Sequence, residues 1–422
     1  MKVYQKQPLQ CSSYTKRVNI PLRAGAEEGG YLIHFREGEG RLCGGIGSNP
    51  IAVDTSKEIS ALFRAGDVFA ACAPSGALYT GVQMQATDVT FRRIPDCLCL
   101  PEGEGMLLSD GTTCVLVSTA GAESLPLPFN AAVFAYGRLW RTVDGVRLYF
   151  GAPDDYKDQT VQRGKAGYID ASDAKGKILR LFFVKNEVYV LREGGLQKLV
   201  AHGDEEEFAF EDVLSCAPVC GGSAAATQNA LFWLAEDGFH VWGDAKANGY
   251  SAFFAPHVSY APTRAAACGD KYYLCGKYTL PDGTEAEGMG VFDAEGRGYL
   301  VQKKLEGLVC VANDVYFTYE GKGYAVTENG NFLGEVAQRV WQSPPAEPFG
   351  CRALLGEVRV RSEGPFVLHV ESEEGSRVLL FSGGLQKRRV QLAGSAFTFR
   401  VQAENCELYA LSAVFQRGEG KV

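Results

Sequence analysis

Short apolar runs alternate with polar turn residues along most of the chain, and the runs come in pairs. Each pair consists of a turn residue, four or five mostly apolar residues, a glycine turn and a second apolar run. Seven pairs are found, and they begin at Asp67, Gly105, Gly137, Asn186, Asn229, Asp270 and Asn313. Their mean spacing of about 41 residues is typical of the blades of a β-propeller. The pattern therefore predicts an all-β protein with a propeller.

The turns explain why each pair should form a β-hairpin. Asp-Gly occurs at 110–111, 144–145 and 237–238, between runs rich in aromatic and β-branched residues. Both residue types tolerate the positive φ angles of a type I′ turn, which we predict at these positions. A single hairpin cannot bury its apolar face, whereas four-stranded sheets packed around an axis can. Because the spacing is uneven, the sequence predicts either six or seven blades.

The repeat region and its flanks predict three parts. Residues 46–345 form the propeller, with Glu58–Phe63 and Asn331–Trp341 as the candidate strands that close the ring. Residues 1–45 form an N-terminal arm with one strand. Three prolines in the segment 343–350 indicate a linker, because proline disfavours the interior of strands and helices. Beyond it, about six short strands in residues 346–422 predict a small antiparallel β-sandwich.

Composition and charge exclude several classes of function. A hydrophobic content of 46% with 22% charged residues is typical of a globular protein. A net charge of −8, with Lys387–Arg389 as a local basic cluster, argues against sequence-specific contact with nucleic acid. The sequence contains no run of 18 apolar residues, so we predict no membrane span. The N-terminus lacks the apolar core of a signal peptide. We predict synthesis in the cytoplasm.

The thirteen cysteines do not predict a metal site or a disulfide framework. Cys216 and Cys220 have a spacing that suits metal chelation, but no second pair completes a tetrahedral set. The cysteines are interpreted as reduced, buried thiols. We predict that the protein uses neither a metal nor a cofactor.

Motifs of known catalytic sites are missing from the sequence. No two of the five histidines have the spacing of neighbours on a helix or a strand. The sequence also has no nucleophile elbow, zinc-binding helix, phosphate loop or dinucleotide fingerprint. We therefore assign no catalytic residue and predict a non-catalytic protein. Two alternatives stay open: a propeller that binds or hydrolyses carbohydrate, and a cytoplasmic protein-interaction scaffold. A glycosidase would need a close pair of carboxylates, or an arginine triad for an acidic sugar.

Two segments resemble recurring units of propeller proteins from phage and prophage tail modules, including nozzle-type proteins of short-tailed phages. They are Phe134–Trp140 with Val143–Asp155, and Cys216–Gly243. Phe397–Val401 and Leu408–Phe415 resemble the closing sandwich strands of such proteins.

The resemblance implies a virion structural protein, a tail or head–tail component that binds protein partners or assembles into a homo-oligomeric ring. It carries over no catalytic residue. Trp140 and Trp242 lie beside turns, and they are the candidate surface anchors for a partner.

Overall fold

The structure is a computed structural model that describes residues 14–23, 29–54, 56–162, 164–201, 204–236, 238–243, 255–257, 264–281, 283–293, 297–328 and 330–417. The chain divides into two compact units. One is Gly45–Glu335, and the other combines Met1–Gly44 with Val336–Val422. Regular structure in the described ranges is almost entirely β-strand, with short 3₁₀ turns at Pro101–Gly103, Glu205–Glu207 and Gly221–Ser223.

The unit Gly45–Glu335 contains seven antiparallel sheets in its described part, and these are the seven blades of a propeller. The second strand of each blade begins at the start of its sequence repeat, and the first strand precedes that repeat. Blade 1 contains the strands Ala61–Ala65, Val68–Cys72, Ala77–Thr80 and Gln85–Thr90. Blade 2 contains Asp96–Cys99, Met106–Ser109, Cys114–Ser118 and Gly121–Leu125. Blade 3 contains Ala131–Ala135, Arg138–Thr142, Arg147–Phe150 and Gly167–Asp170.

Blades 4 to 7 continue the same order. Blade 4 contains Ile178–Val184, Glu187–Arg192, Gly195–Val200 and Ala209–Leu214, and blade 5 contains Ala225–Ala226, Ala230–Ala235 and Gly238–Gly243. Blade 6 contains Ala265–Cys268, Lys271–Thr279, Glu285–Asp293 and Gly298–Val301. Blade 7 contains Glu306–Val311, Asp314–Tyr319, Lys322–Thr327 and Gly47–Pro50. A further strand, Ala255–His257, pairs with the second strand of blade 6. First strands of successive blades touch from blade 2 to blade 7, and blade 7 in turn touches the first strand of blade 1. Between blades 1 and 2, the second strand of blade 1 contacts the third strand of blade 2. The predicted β-propeller is confirmed, and it has seven blades.

The strands that close the ring differ from the predicted ones. Gly47–Pro50 pairs antiparallel with Lys322–Thr327, so the outer strand of blade 7 comes from the start of the unit. The predicted candidate Glu58–Phe63 instead overlaps the first strand of blade 1. At the other end, Arg339–Gln342 pairs with Thr398–Ala403 in the sandwich unit, which moves the propeller boundary from residue 345 to Glu335.

The Asp-Gly turns at 110–111 and 144–145 do not have the predicted type I′ geometry, and the turn predicted at 237–238 includes Asp237, which lies outside the described residues. Only the glycine has a positive φ, 89° at Gly111 and 78° at Gly145. The aspartate side chains instead accept backbone N–H groups two residues ahead, from Thr112 to Asp110 and from Val146 to Asp144. Two successive positive φ angles, as in type I′ turns, occur at other hairpins: Tyr136-Gly137, Lys185-Asn186, Ala312-Asn313 and Glu320-Gly321.

Large aromatic side chains fill the space between blades 3 and 4. Trp140 is fully buried, and its ring centroid lies 5.4 Å from that of Phe150 and 5.7 Å from that of Phe208. The indole Nε1 donates to the Ala135 carbonyl at 3.0 Å. Burying a tryptophan with its N–H satisfied combines a large apolar area with no polar cost. Such contacts hold neighbouring blades together.

The second unit is an antiparallel β-sandwich, as predicted, and it has two sheets. One contains Phe35–Glu37, Leu42–Gly44, Glu407–Arg417, Ala353–Glu363 and Gly384–Gly394, with Thr15–Asn19 also on Glu407–Arg417. The other contains Tyr31–Ile33, Arg339–Gln342, Thr398–Ala403, Phe366–Ser372 and Gly375–Phe381. The predicted N-terminal arm is therefore not a separate part, because its strands pair with those of the C-terminal region.

Candidate functional site

A large cavity of the propeller opens where the first strands of several blades begin. It measures about 600 Å³ and is lined by Ser60, Cys72–Gly76, Phe91–Ile94, Arg180, Cys220, Gly222 and Arg264. We call this set of residues the channel mouth. Most of them belong to the loops that enter the first strands, and Ala73–Gly76 form the turn between two strands of blade 1. The repeat therefore places loops from different blades around one opening.

A narrower cavity of about 280 Å³ continues along the first strands themselves. We call it the central channel. Alanine is the commonest residue of its lining, at Ala131–Ala132, Ala224–Ala226 and Ala265–Ala267. Small side chains let the first strands approach the axis closely, so the channel is tight. Asp96, Arg180 and Arg264 are the ionisable side chains among its described lining, apart from the thiols of Cys97 and Cys310.

Asp96, the first residue of blade 2, holds two of the arginines. Its Oδ1 lies 2.7 Å from Arg180 Nη1 and its Oδ2 lies 3.1 Å from Arg93 Nη2. Burial would raise the pKa of Asp96, but the positive charges of Arg180, Arg264 and Arg93 outweigh it and lower the pKa. The carboxylate is therefore charged at neutral pH and fully engaged. It is not available as a general acid.

Arg264 enters the same cluster from blade 6. Its Nη2 donates to the Ile94 carbonyl at 2.6 Å. Burial lowers the pKa of Arg264 to about 10; Asp96 opposes this shift, while Arg180 and Arg93 add to it. The guanidinium therefore stays charged at neutral pH. With Arg92, four arginines line the channel mouth and one aspartate faces them, an excess of three positive charges among the described lining residues.

The loop that carries Arg92 and Arg93 is fixed by Asp110. The Asp110 Oδ2 accepts the Arg92 backbone N–H at 2.7 Å, and the Asp110 carbonyl accepts Arg93 Nε at 3.1 Å. Burial would raise the pKa of Asp110, but hydrogen bonds from the N–H groups of Arg92, Thr113 and Thr112 lower it to about 2. The arginines are thus held on a rigid loop, which suits the recognition of a ligand.

The turn of blade 1 at the mouth needs a glycine. Gly76 has a φ of 87°, and a Cβ there would lie 2.0 Å from the Phe91 carbonyl oxygen. The Gly76 carbonyl accepts the Phe91 N–H at 2.9 Å. This close backbone approach ties the turn of blade 1 to the segment that leads into the arginines.

Four thiols lie on first strands. Cys97 and Cys99 are on blade 2, Cys268 on blade 6 and Cys310 on blade 7. A hydrogen bond between the thiols of Cys268 and Cys310 lowers the pKa of Cys268 to about 7 and raises that of Cys310. Within the described residues, no group of three or more His, Cys, Asp or Glu side chains is placed to hold a metal ion.

The sequence-predicted surface anchors do not lie at this site. Trp140 is fully buried between blades, so it cannot anchor a partner; its position beside a turn reflects packing. Trp242 is half-buried and lies against Tyr189, with ring centroids 6.3 Å apart.

The arginine cluster is absent from the sequence-based candidates, although a signal for it exists. Arg93, Arg180 and Arg264 all stand at or just before the first strand of a blade. Aligning the repeats on their first strands collects these arginines at one end of the channel.

Comparisons with known proteins find no matching family model and no curated relative. Similar solved structures include PorZ, a surface component of the type-IX secretion system of Porphyromonas gingivalis, with 12% identity, 81% of this chain and 46% of that chain covered and a TM-score of 0.41. BamB from Moraxella catarrhalis has 12% identity and a TM-score of 0.38, and the match covers 75% of this chain and 98% of that chain. YCF48 bound to D1 peptide has 10% identity and a TM-score of 0.37, and the match covers 72% of this chain and 99% of that chain.

At these values the similarity says nothing about the ligands of this chain, whose fold follows from its own strand pairing. In the described ranges, no helix has the length and apolar character needed to cross a membrane.

Proposed function

We propose that this chain is a non-catalytic interaction protein that assembles with further copies of itself through a free edge of its sandwich. The supporting observation is the strand Gly375–Phe381, which ends its sheet and pairs, among the described strands, with Phe366–Ser372 alone. Its outward side chains Val378 and Leu380 are 58% and 70% exposed. An exposed apolar edge strand is a template for pairing with another chain, and natural proteins usually protect such edges.

The edge suits pairing with a second copy of itself. A two-fold axis at Leu379 sets Val378 against Leu380 and Arg377 against Phe381, so apolar positions face each other and no like charges lie directly opposite. Such an isologous interface continues the sheet from one molecule into the next. We take the resemblance of Phe134–Trp140 and Val143–Asp155 to phage-tail propellers as the ground for a narrower proposal, a tail or head–tail component.

The central channel supports a non-catalytic role. Its described lining contains one carboxylate, Asp96, which is engaged by arginines, and it contains no histidine. Glycoside hydrolysis by a carboxylate pair therefore gains no support from these residues. Bonding to a neighbouring thiol, together with burial, raises the pKa of Cys97 and Cys310, so both thiols are neutral at pH 7.

The test is the mass of the protein in solution, measured by light scattering over a wide range of concentration. We expect an oligomer for the natural sequence and a monomer for Val378→Lys, because the register sets the new charge against the apolar Leu380 of the other copy. Val82→Lys is the matched control, since Val82 is 56% exposed on a turn of the propeller. A monomer at every concentration, or equal dissociation by both variants, would overturn the proposal.

The narrower tail proposal has its own test. Portal, terminase and tape-measure genes beside this gene would support it, and sugar-utilisation genes in that place would count against it.

A further inference from the structure

The channel mouth has features that the proposed self-assembly does not use. We propose that it is a binding site for a small ligand with an oxyanion group, a carboxylate or a phosphate, held by Arg264 and Arg92. This site lies in the propeller and is independent of the sandwich edge.

The first argument is charge. Arg92, Arg93, Arg180 and Arg264 line the mouth, and Asp96 is the single carboxylate among the described residues of the two cavities. The whole chain has a net charge of −8, so this local excess runs against the average. Like charges gathered in a confined, partly desolvated space repel one another and attract an anion from solution. The geometry thus favours a negatively charged occupant.

The second argument is the supply of hydrogen-bond donors. A guanidinium carries five N–H groups in a planar fork. The guanidinium of Arg264 has one hydrogen bond to the described part of the chain, from Nη2 to the Ile94 carbonyl at 2.6 Å. The side chain of Arg92 is exposed at the rim. Arg180 and Arg93 are instead committed to Asp96. Planar guanidinium groups bind carboxylate and phosphate in a bidentate manner, which a lysine cannot do.

The third argument is size and wall chemistry. The mouth measures about 600 Å³, within the range of roughly 300 to 1,000 Å³ that is typical of small-molecule sites. Ala73, Pro74, Phe91 and Ile94 supply apolar wall. The alanine-lined central channel behind it, of about 280 Å³, admits only a small group. The ligand is therefore a small molecule with an anionic end, and its neutral body lies against the apolar wall.

The experiment measures binding of citrate and of inorganic phosphate by calorimetry, at constant ionic strength set with chloride. We expect saturable binding of at least one of them, and the tighter of the two identifies the oxyanion as carboxylate or phosphate. Arg264→Gln should weaken it about tenfold to a hundredfold, since a charge-assisted hydrogen bond is lost. Arg264→Lys keeps the charge without the fork and should weaken binding less.

Two further variants keep the test decisive. Arg92→Gln removes an exposed rim charge without disturbing the buried cluster, so it tests the site even if Arg264→Gln does not fold. Arg64→Gln is the matched control, because Arg64 is an exposed arginine of blade 1 outside the mouth. If neither ion binds more tightly than chloride, or if Arg64→Gln weakens binding as much as Arg92→Gln, the site does not exist as proposed. Val378→Lys should lose self-association and keep its ion binding. Failure of the ligand site can therefore be distinguished from failure of the proposed self-assembly.

Discussion

Arg180 and Asp96 form an ion pair across an intervening blade, with Arg180 Nη1 lying 2.7 Å from Asp96 Oδ1. Arg180 belongs to the first strand of blade 4 and Asp96 to that of blade 2. Arg180 also donates from Nε to the Gly221 carbonyl at 3.1 Å, next to blade 5. One side chain thereby connects three blades near the axis. The pair contributes to closing the ring as well as to the charge of the channel mouth.

Replacing Asp96 by asparagine should separate these two roles. Asp96→Asn removes the carboxylate that holds Arg93 and Arg180, and we expect unfolding to cost about 2 kcal/mol less, since hydrogen bonds between charged groups are lost. The same change adds to the positive excess at the mouth and should tighten binding of citrate or phosphate. Urea denaturation and calorimetry measure the two effects. A variant that is both less stable and weaker in ion binding would contradict the assigned role of Asp96.

Acid should destabilise the propeller through Asp110. The pKa of this carboxyl is about 2 in the folded protein and about 3.9 in an unfolded chain. A lowered pKa gives stability that is present above pH 4 and is lost as the pH falls through 2. The contribution is about 2 to 3 kcal/mol. Asp110→Asn should flatten the fall in stability between pH 4 and pH 2, measured by thermal unfolding. An unchanged slope would show that other carboxyls cause it.

Two buried tryptophans should respond differently to the same substitution. Trp140 and Trp233 are both fully buried, but Nε1 of Trp140 donates to Ala135 whereas Nε1 of Trp233 has no hydrogen-bond partner among the described residues. Trp140→Phe removes a buried hydrogen bond, and Trp233→Phe removes an unsatisfied N–H. We expect Trp140→Phe to be the more destabilising by about 2 kcal/mol in chemical denaturation. Equal losses would indicate that packing alone decides the cost.

Cys268 should be the reactive thiol of blade 6. Its pKa is about 7 because the thiol of Cys310 donates to it, whereas burial raises the pKa of Cys275 on the next strand to about 12. At pH 7.5 we expect iodoacetamide to modify Cys268 well before Cys275, as followed by peptide mass spectrometry. Cys310→Ala should shift the pH midpoint of Cys268 labelling upward. No shift in that variant would rule out the thiol pair as the cause.

The local features of the fold were predictable from sequence, whereas the features that need distant partners were not. The pair of apolar runs at Asn186 predicts a hairpin because its two strands, Glu187–Arg192 and Gly195–Val200, are adjacent in sequence. The closing strand Gly47–Pro50 carries no such signal: two of its four residues are exposed, and its partner lies more than 270 residues away. The position of Trp140 beside a turn indicates a surface anchor, yet inter-blade packing buries it.

The arginine cluster shows the same limit at the level of the site. Arg93, Arg180 and Arg264 are separated by 87 and 84 positions, and each alone is typical of a solvated loop. They converge because a propeller brings the starts of all its first strands to one opening. The repeat thus predicted the scaffold, and the chemistry depended on which residues the ring brought together.

The pairing of Thr15 with Gln416 has a consequence for the timing of assembly. The strand Thr15–Asn19 leaves the ribosome roughly 400 residues before its partner, an interval of about 20 to 80 s at ordinary rates of synthesis. All seven blades are made within that interval, so the ring can close before the sandwich has its last strand. The edge strand Gly375–Phe381 is also translated late. The proposed contacts through that edge would therefore be restricted to chains whose propeller has already been synthesised, which would keep nascent molecules from joining prematurely.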